Sequence, residues 1–177
     1  MNLKNLKYFF FVESLNLINI DKLKKFKNIY IIYSYTKNSD FNDVIKLDRL
    51  CKKNKIKLYI SNYVKKFNNI KIDGIHIPSS NRSSILSKKK NVDIIGTAHN
   101  QKEYYIKKNQ GCSKIFLSPL FFTKKYSNSK ILNINKFNLI SKNWKSRIMA
   151  LGGIRESKLN QLNLLNIVGV GSIGLFK

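Results

Sequence analysis

Eight short apolar runs recur along the chain, and this repetition constrains the fold more than any other feature of the sequence. The runs are rich in β-branched and aromatic residues, and most are continuous rather than alternating with polar residues. Continuous apolar strands are typical of a parallel sheet whose two faces are both covered by helices. We therefore predict eight strands, at residues 7–12, 28–34, 57–61, 74–77, 93–96, 114–118, 148–151 and 167–171.

Segments with helical spacing separate several of these runs. Residues 41–54 carry an apolar face behind Asp40, a typical N-cap residue, and residues 100–109 and 157–166 also have apolar positions at helical intervals. Strands and helices that alternate in this way predict the α/β class and a (β/α)8 TIM barrel.

The connections available to this barrel are short. Residues 14–27 and 62–71 have room only for short helices, and three residues follow Gly174, where a last helix is expected. We therefore predict a compact barrel with short or missing helices. A truncated barrel or a doubly wound open sheet is the structural alternative.

The strong positive charge of the chain bears on its partners. The 177 residues carry a formal net charge of +25 and no low-complexity linker, so we expect a single domain over residues 1–177. Only four of the 34 basic residues are arginines, which favour base recognition, and the lysines are scattered. We expect weak, non-specific polyanion binding and no specific nucleic-acid partner. A basic nucleic-acid-binding protein is the less favoured alternative.

The cysteines and the amino-terminal apolar run bear on localisation. Cys51 and Cys112 lack the spacing of a metal or redox motif, and isolated buried thiols fit a reducing cytoplasm. The apolar run at residues 8–12 ends at Glu13 and is too short to cross a membrane. We expect a cytoplasmic protein with no membrane partner.

Two glycine-containing turns close the last two predicted strands. The first contains Gly152 and Gly153, and the second contains Gly169, Gly171 and Ser172. Glycine lets a backbone approach a ligand closely, and a phosphate site at the last two strand ends recurs in parallel barrels. Because the turns lie in adjacent units, we favour a phosphate site. The alternative is that these glycines only relieve crowding inside the barrel.

Both histidines and one long loop are expected at the active face. His76 has apolar neighbours, which favours a packed, hydrogen-bonded side chain, whereas His99 opens a predicted helix and either caps it or contacts substrate. The loop begins within residues 118–125, where Lys124 and Lys125 can reach a phosphate. The nine carboxylates include no pair with the spacing of a metal or glycosidase site.

Five strings in the second half of the chain resemble, in order and spacing, the thiamine phosphate synthase and TenI superfamily. They are DGIHI at 73–77, GTAHN at 96–100, SPLFFT at 118–123, ALGGI at 150–154 and VGVGS at 168–172. The resemblance implies a (β/α)8 barrel and a transferase of thiamine biosynthesis, a thiamine-phosphate diphosphorylase. Such an enzyme joins hydroxymethylpyrimidine diphosphate to thiazole phosphate and releases pyrophosphate with the help of Mg²⁺.

The resemblance also implies roles for individual residues. The implied catalytic residues are Lys37, Lys124 and Lys125. The implied substrate-binding residues are His76, Thr97, His99, Thr123, Gly152, Gly153, Gly171 and Ser172. The last four would hold the thiazole phosphate through backbone amides, and Thr123 would lie near the diphosphate.

Departures from the family pattern affect the metal site most. Asn62 and Asn81 stand where the family has two acidic magnesium ligands, so the metal positions are degenerate and Mg²⁺ is expected to arrive with the diphosphate. Pro119 replaces the histidine of TenI-type tautomerases. The expected function is thiamine phosphate synthesis. The alternative is a non-catalytic or TenI-like paralogue that binds thiazole phosphate with a degenerate metal site.

Overall fold

Eight parallel strands form a closed barrel in chain order, with β8 pairing with β1. A computed structural model describes residues 5–37, 39–62, 67, 70–83, 92–123 and 130–176. The strands are β1 Lys7–Val12, β2 Ile29–Ser34, β3 Lys57–Ser61, β4 Gly74–Ile77, β5 Asp93–Ala98, β6 Lys114–Leu117, β7 Arg147–Leu151 and β8 Gly169–Ser172. The closure confirms the predicted (β/α)8 barrel and excludes the open doubly wound sheet.

The helices around the barrel are short. The α-helices are α1 Ile20–Lys24, α2 Phe41–Lys53, α3 Gln101–Asn109 and α4 Asn133–Ser141. The 3₁₀ helices are Leu15–Leu17, Glu156–Leu164 and Gly174–Phe176. Asp40 caps α2 as predicted, because its side chain accepts a hydrogen bond from the backbone N–H of Asn42. Within the described residues, no helix has the length and apolar character needed to cross a bilayer.

Aromatic side chains fill the interior of the barrel. Phe9 of β1 stacks on Tyr30 with ring centroids 4.7 Å apart and meets Phe116 edge-on at 5.3 Å. All three are buried, and burial of one such side chain contributes roughly 1.5–3 kcal/mol. Tyr59 occupies the space beside Gly74, where any side chain would collide with its ring. The absence of a side chain at Gly74 therefore makes room for the Tyr59 ring in the interior.

A second apolar layer lies between the strands and the surrounding helices. Val44, Leu47 and Cys51 of α2 are buried in it, as their spacing predicts. Cys51 and Cys112 are free thiols, and burial raises the pKa of each to about 12. Both cysteines are therefore packing residues.

A polar network joins three strands at their amino-terminal ends. The carboxylate of Asp93 accepts hydrogen bonds from the Tyr59 hydroxyl at 2.8 Å, from Lys114 Nζ at 2.6 Å and from the Ser113 hydroxyl. Burial alone raises the pKa of the Asp93 carboxyl, but these hydrogen bonds outweigh burial and hold the pKa below its ordinary value. The network stabilises the end of the barrel opposite the candidate site.

Candidate functional site

A cavity of about 520 Å³ opens at the carboxyl ends of the strands. All eight strands, or the loops that follow them, contribute to its lining. Phe11, Phe122 and Ile173 give it apolar surface, while Glu13 and Arg155 bring charge. Because the carboxyl ends of the strands carry the active site in barrels of this kind, this cavity is the candidate site.

His76 lies at the floor of the cavity and is buried. Its Nδ1 is hydrogen-bonded to the Ser61 hydroxyl at 2.9 Å and its Nε2 to the Thr97 hydroxyl at 2.8 Å. Burial, with a smaller contribution from the charge of Lys107, lowers the pKa of His76 to about 3. The prediction of a packed, hydrogen-bonded histidine is confirmed. Both His76 and Thr97 line the cavity.

His99 lies in the wall of the cavity, where both of its ring nitrogens are hydrogen-bonded. Its Nδ1 is 2.7 Å from the carbonyl oxygen of Ser118, which can only accept, so Nδ1 carries a hydrogen. Its Nε2 is 3.1 Å from the hydroxyl of Ser79. Asn100, rather than His99, is the N-cap of α3, because the Asn100 side chain accepts from the N–H of Glu103. Of the two predicted roles, capping is therefore wrong, and His99 lines the cavity.

The first glycine turn packs against the loop that follows β6. Gly152 has φ 98° and Gly153 has φ 68°, in the left-handed region that favours glycine. A Cβ on Gly152 would lie 2.9 Å from Pro119, and one on Gly153 would strike the backbone of Phe121 and Phe122. Both glycines also line the cavity. Relief of crowding, the alternative considered from the sequence, therefore holds for this turn alongside its place in the site.

The second glycine turn divides its residues between the barrel interior and the cavity. Gly171 is not part of the cavity lining, since a Cβ there would meet the rings of Phe11 and Phe116 inside the barrel. Gly171 therefore has a packing role inside the barrel, and its contact with phosphate through the backbone amide stays a prediction. Ser172 does line the cavity, and its hydroxyl donates to the carbonyl of Ile154 at 2.7 Å and accepts from the N–H of Leu175.

Several backbone N–H groups at these turns have no hydrogen-bond partner within the described part of the chain. Those of Gly153, Ile173 and Gly174 are among them. All three residues line the cavity, just after the neighbouring strands β7 and β8. Unpaired backbone donors of this kind are suited to bind an anion.

Thr123 lies at the cavity, whereas none of the three lysines predicted to be catalytic belongs to its described lining. Thr123 lines the cavity, and its buried hydroxyl has no hydrogen-bond partner within the described part of the chain. Lys124 and Lys125 lie outside the described residues. Lys37 is exposed and is not part of the lining, which Thr36 is, so its predicted place in the catalytic site is not supported.

The two positions assigned to a degenerate metal site do not come together. Asn62 lines the cavity, and its Nδ2 donates to the carbonyl of Tyr35 at 3.2 Å. Asn81 is not in the lining, because its side chain turns back to accept from the N–H of Ser83 at 2.9 Å. The prediction that both asparagines face one metal position is therefore corrected.

The donor set of the cavity does not fit a magnesium ion held by the protein. Glu13 is the sole carboxylate among the described lining residues. No three His, Cys, Asp or Glu side chains of the described residues come together as a metal site. Mg²⁺ prefers carboxylates and phosphate oxygens, so the described part of the lining lacks the protein ligands that such an ion needs.

Sequence reasoning did not identify several lining residues as site residues, among them Glu13, Ser79, Arg155, Ile173 and Gly174. Glu13 and Arg155 closely follow strands β1 and β7. Their position after a predicted strand was the available signal, because strand ends meet at one face of a barrel.

A family model described as thiamine monophosphate synthase matches residues 33–174. Among solved structures, a thiamine phosphate pyrophosphorylase from Pyrococcus furiosus matches with a TM-score of 0.74 and 15% identity, over 97% of this chain and 87% of that chain. An HpcH/HpaI aldolase from Desulfitobacterium hafniense gives a TM-score of 0.65 and 10% identity, over 96% of this chain and 88% of that chain. Structural matches at these identities show the shared barrel alone. Comparison with curated protein sequences gives no significant match.

Proposed function

Because the chain belongs to the thiamine monophosphate synthase family, we propose that it joins hydroxymethylpyrimidine diphosphate to thiazole phosphate and releases pyrophosphate. One observation carries this proposal: the unpaired N–H groups of Gly153, Ile173 and Gly174 lie at one cavity, just after two neighbouring strands. The last two strands of a parallel barrel are a recurrent place for a phosphate site. The thiazole phosphate is the substrate that these donors bind.

The remainder of the cavity suits flat heterocycles. Its volume of about 520 Å³ lies within the range typical of small-molecule sites. Phe11, Phe122 and Ile173 offer apolar surface to the two rings, and the Thr123 hydroxyl offers an unused polar group. By its place in the chain directly after Thr123, the pair Lys124 and Lys125 is proposed to face the diphosphate.

The proposed reaction needs little proton transfer. The bond between the pyrimidine methylene and the diphosphate oxygen breaks, and its electron pair leaves with pyrophosphate. The thiazole nitrogen then donates its lone pair to the methylene carbon and becomes positively charged. A site with one lining carboxylate in its described part, and with a neutral, hydrogen-bonded His76, is compatible with such chemistry. Any Mg²⁺ is proposed to enter bound to the diphosphate, since Glu13 is the single carboxylate in the described lining.

The same lack of carboxylates favours a second candidate function. A paralogue that binds thiazole phosphate without turning it over needs the two turns but no metal ligands. Glu13 alone remains as a carboxylate in the described lining, and Asn81 faces Ser83 rather than the cavity. The two functions therefore share the phosphate site and differ in turnover.

One assay separates these two functions. Purified protein is incubated with both substrates and Mg²⁺, and thiamine phosphate and pyrophosphate are measured by mass spectrometry. Synthase function predicts that both products form in equal amounts. Binding of thiazole phosphate without product supports the paralogue, and failure to bind it contradicts both functions.

Two asparagine variants refine the same assay. Asn62→Asp adds a carboxylate to the cavity lining and is expected to raise turnover at limiting Mg²⁺. Asn81→Asp is the matched control, because its side chain faces Ser83. Equal effects of the two changes would contradict the geometry assigned to these positions.

A further inference from the structure

An arginine that the resemblance does not assign lies at the edge of the two turns. Arg155 follows the Gly152–Gly153 turn after β7, is exposed and lines the cavity. Its Cγ is 3.8 Å from the place that a Cβ on Gly174 would occupy. The aliphatic part of the side chain therefore lies against the β8 turn, although the residue belongs to the β7 turn.

The guanidinium of Arg155 is uncommitted within the protein. It forms no ion pair, hydrogen bond or ring contact with any residue that the structure describes. Arg155 is also the N-cap of the 3₁₀ helix Glu156–Leu164 and makes no side-chain capping bond there. A positive charge with five N–H donors is therefore available at the cavity edge.

The side-chain stem of Arg155 lies beside the residues that carry the unpaired backbone donors. Gly153 precedes Arg155 by two residues, and Gly174 is in contact range of its stem. A guanidinium presents two parallel N–H groups that match two oxygens of a phosphate, and such charge-assisted bonds are stronger than neutral ones. An alcohol in place of the phosphate offers one oxygen and no charge.

We propose that Arg155 binds the phosphate group held by the two turns and makes the site specific for a phosphorylated ligand over the corresponding alcohol. This inference rests on the proposed function only for the location of the phosphate. It adds a side chain to a site otherwise made of backbone donors. It also supplies a positive charge beside the phosphate without a protein-held metal ion.

Arg147 provides a matched control, because it is an exposed arginine at the opposite end of the same strand. Thiazole phosphate, its dephosphorylated alcohol and inorganic phosphate are titrated into each protein by calorimetry at physiological salt. Arg155→Gln is expected to weaken thiazole phosphate binding by about 10- to 100-fold and to leave alcohol binding unchanged. Arg155→Lys keeps the positive charge but loses the two parallel N–H groups of the guanidinium. Its affinity for thiazole phosphate is therefore expected to lie between those of the wild type and Arg155→Gln. Arg147→Gln is expected to stay within about twofold of wild type.

The outcomes distinguish this inference from the function on which it rests. Wild-type affinity for thiazole phosphate in a folded Arg155→Gln protein would overturn the role of Arg155 and leave the phosphate site in place. Equal losses in Arg155→Gln and Arg147→Gln would also overturn it, because they would reflect the overall charge. Absence of thiazole phosphate binding in the wild type would overturn the proposed function itself. Thermal melting of every variant establishes that it is folded.

Discussion

Individual glycines in this barrel meet different requirements, although the sequence places them in similar turns. Gly152 and Gly153 have left-handed backbones and lie against the loop after β6. Gly171 makes room for two phenylalanine rings. Gly174 has nothing closer than 3.8 Å beside its missing Cβ. These different roles depend on contacts between distant parts of the chain.

The first prediction compares two of these glycines. Gly153→Ala is expected to lower the free energy of unfolding by about 1–3 kcal/mol, because it strains a left-handed backbone and strikes the Phe121–Phe122 segment. It is also expected to weaken thiazole phosphate binding, since the turn is displaced. Gly174→Ala is the control and is expected to stay within about 0.5 kcal/mol. Chemical denaturation measures the free energy of unfolding of both variants. Equal stability of the two variants would contradict the packing assigned to Gly153 and Gly174.

The second prediction concerns the pH dependence of stability. Burial lowers the pKa of His76 to about 3, whereas an unperturbed histidine titrates near 6.5. Between these values the unfolded chain binds a proton that the folded chain does not, so acidification favours unfolding. His76→Gln can keep hydrogen bonds to Ser61 and Thr97 but does not titrate.

The measurement is urea unfolding of both proteins between pH 4 and 6. As the pH falls over this range, the free energy of unfolding of the wild type is expected to decrease by up to about 1.4 kcal/mol per pH unit more than that of His76→Gln. Carboxylates such as Asp93 contribute to both proteins alike, so the difference isolates the histidine. Parallel stability curves would show that His76 titrates normally in the folded protein.

At the scale of elements, the strands and the helices α2 and α3 could be predicted from the sequence, whereas the type of the helix after β7 could not. All eight strands occur within a few residues of the predicted positions, because continuous apolar runs leave little choice in a covered parallel sheet. Residues 157–166 were expected to be helical, yet Glu156–Leu164 forms a 3₁₀ helix. Apolar spacing does not distinguish these helix types, since the hydrogen-bond pattern depends on packing against the barrel.

The candidate site was predictable as a location and less so as a set of contacts. Strand ends identified His99, Thr97 and the two turns, because a barrel brings all its strand ends to one face. The orientation of Asn81 was not predictable, since it depends on Ser83 and on the packing of α3. The role of Gly171 likewise depends on Phe11, which lies at the other end of the chain.

Helix α3 holds the segment that follows β4 through a buried lysine. Lys107 is fully buried, and its Nζ donates to the carbonyl of Asn81 at 2.6 Å and to Gln110 Oε1 at 2.9 Å. Gln110 in turn donates to the carbonyl of Ser83 at 2.8 Å. Desolvation lowers the pKa of Lys107 below its ordinary value. This pair fixes the β4 loop beside the cavity wall.

The third prediction tests this arrangement with neighbouring lysines of α3. Lys107→Ala leaves a cavity and removes a charged donor from the Asn81 carbonyl, so it is expected to cost about 2–4 kcal/mol of unfolding free energy. Lys108→Ala, at an exposed position on the same helix, is expected to stay within about 0.5 kcal/mol. Equal denaturation midpoints for the two variants would contradict the anchoring role.

For the molecule as a whole, the net charge of +25 sets its behaviour toward polyanions. Only four arginines accompany the many lysines, so the charge attracts phosphate backbones without a means of reading base edges. Charge of this kind acts mainly through counterion release and is screened by salt. The high net charge is therefore compatible with a small-molecule site in the same molecule.

The fourth prediction follows from this charge. Duplex DNA of two unrelated sequences is expected to bind with the same weak affinity. The logarithm of the binding constant is expected to fall steeply and linearly with the logarithm of the salt concentration. Fluorescence anisotropy at several salt concentrations measures the affinity for each duplex and its salt dependence. Preference for one sequence that persists at physiological salt would contradict a metabolic role and favour a nucleic-acid-binding protein.

The central claim is that the β7 and β8 turns hold a substrate phosphate at the carboxyl end of the barrel. A crystal structure of the protein with thiazole phosphate tests it most directly. The phosphate is expected within hydrogen-bond distance of the N–H groups of Gly153, Ile173 and Gly174, with the ring inside the cavity. A phosphate bound elsewhere on the barrel, with these three N–H groups still unoccupied, would show that the two turns are not the phosphate site.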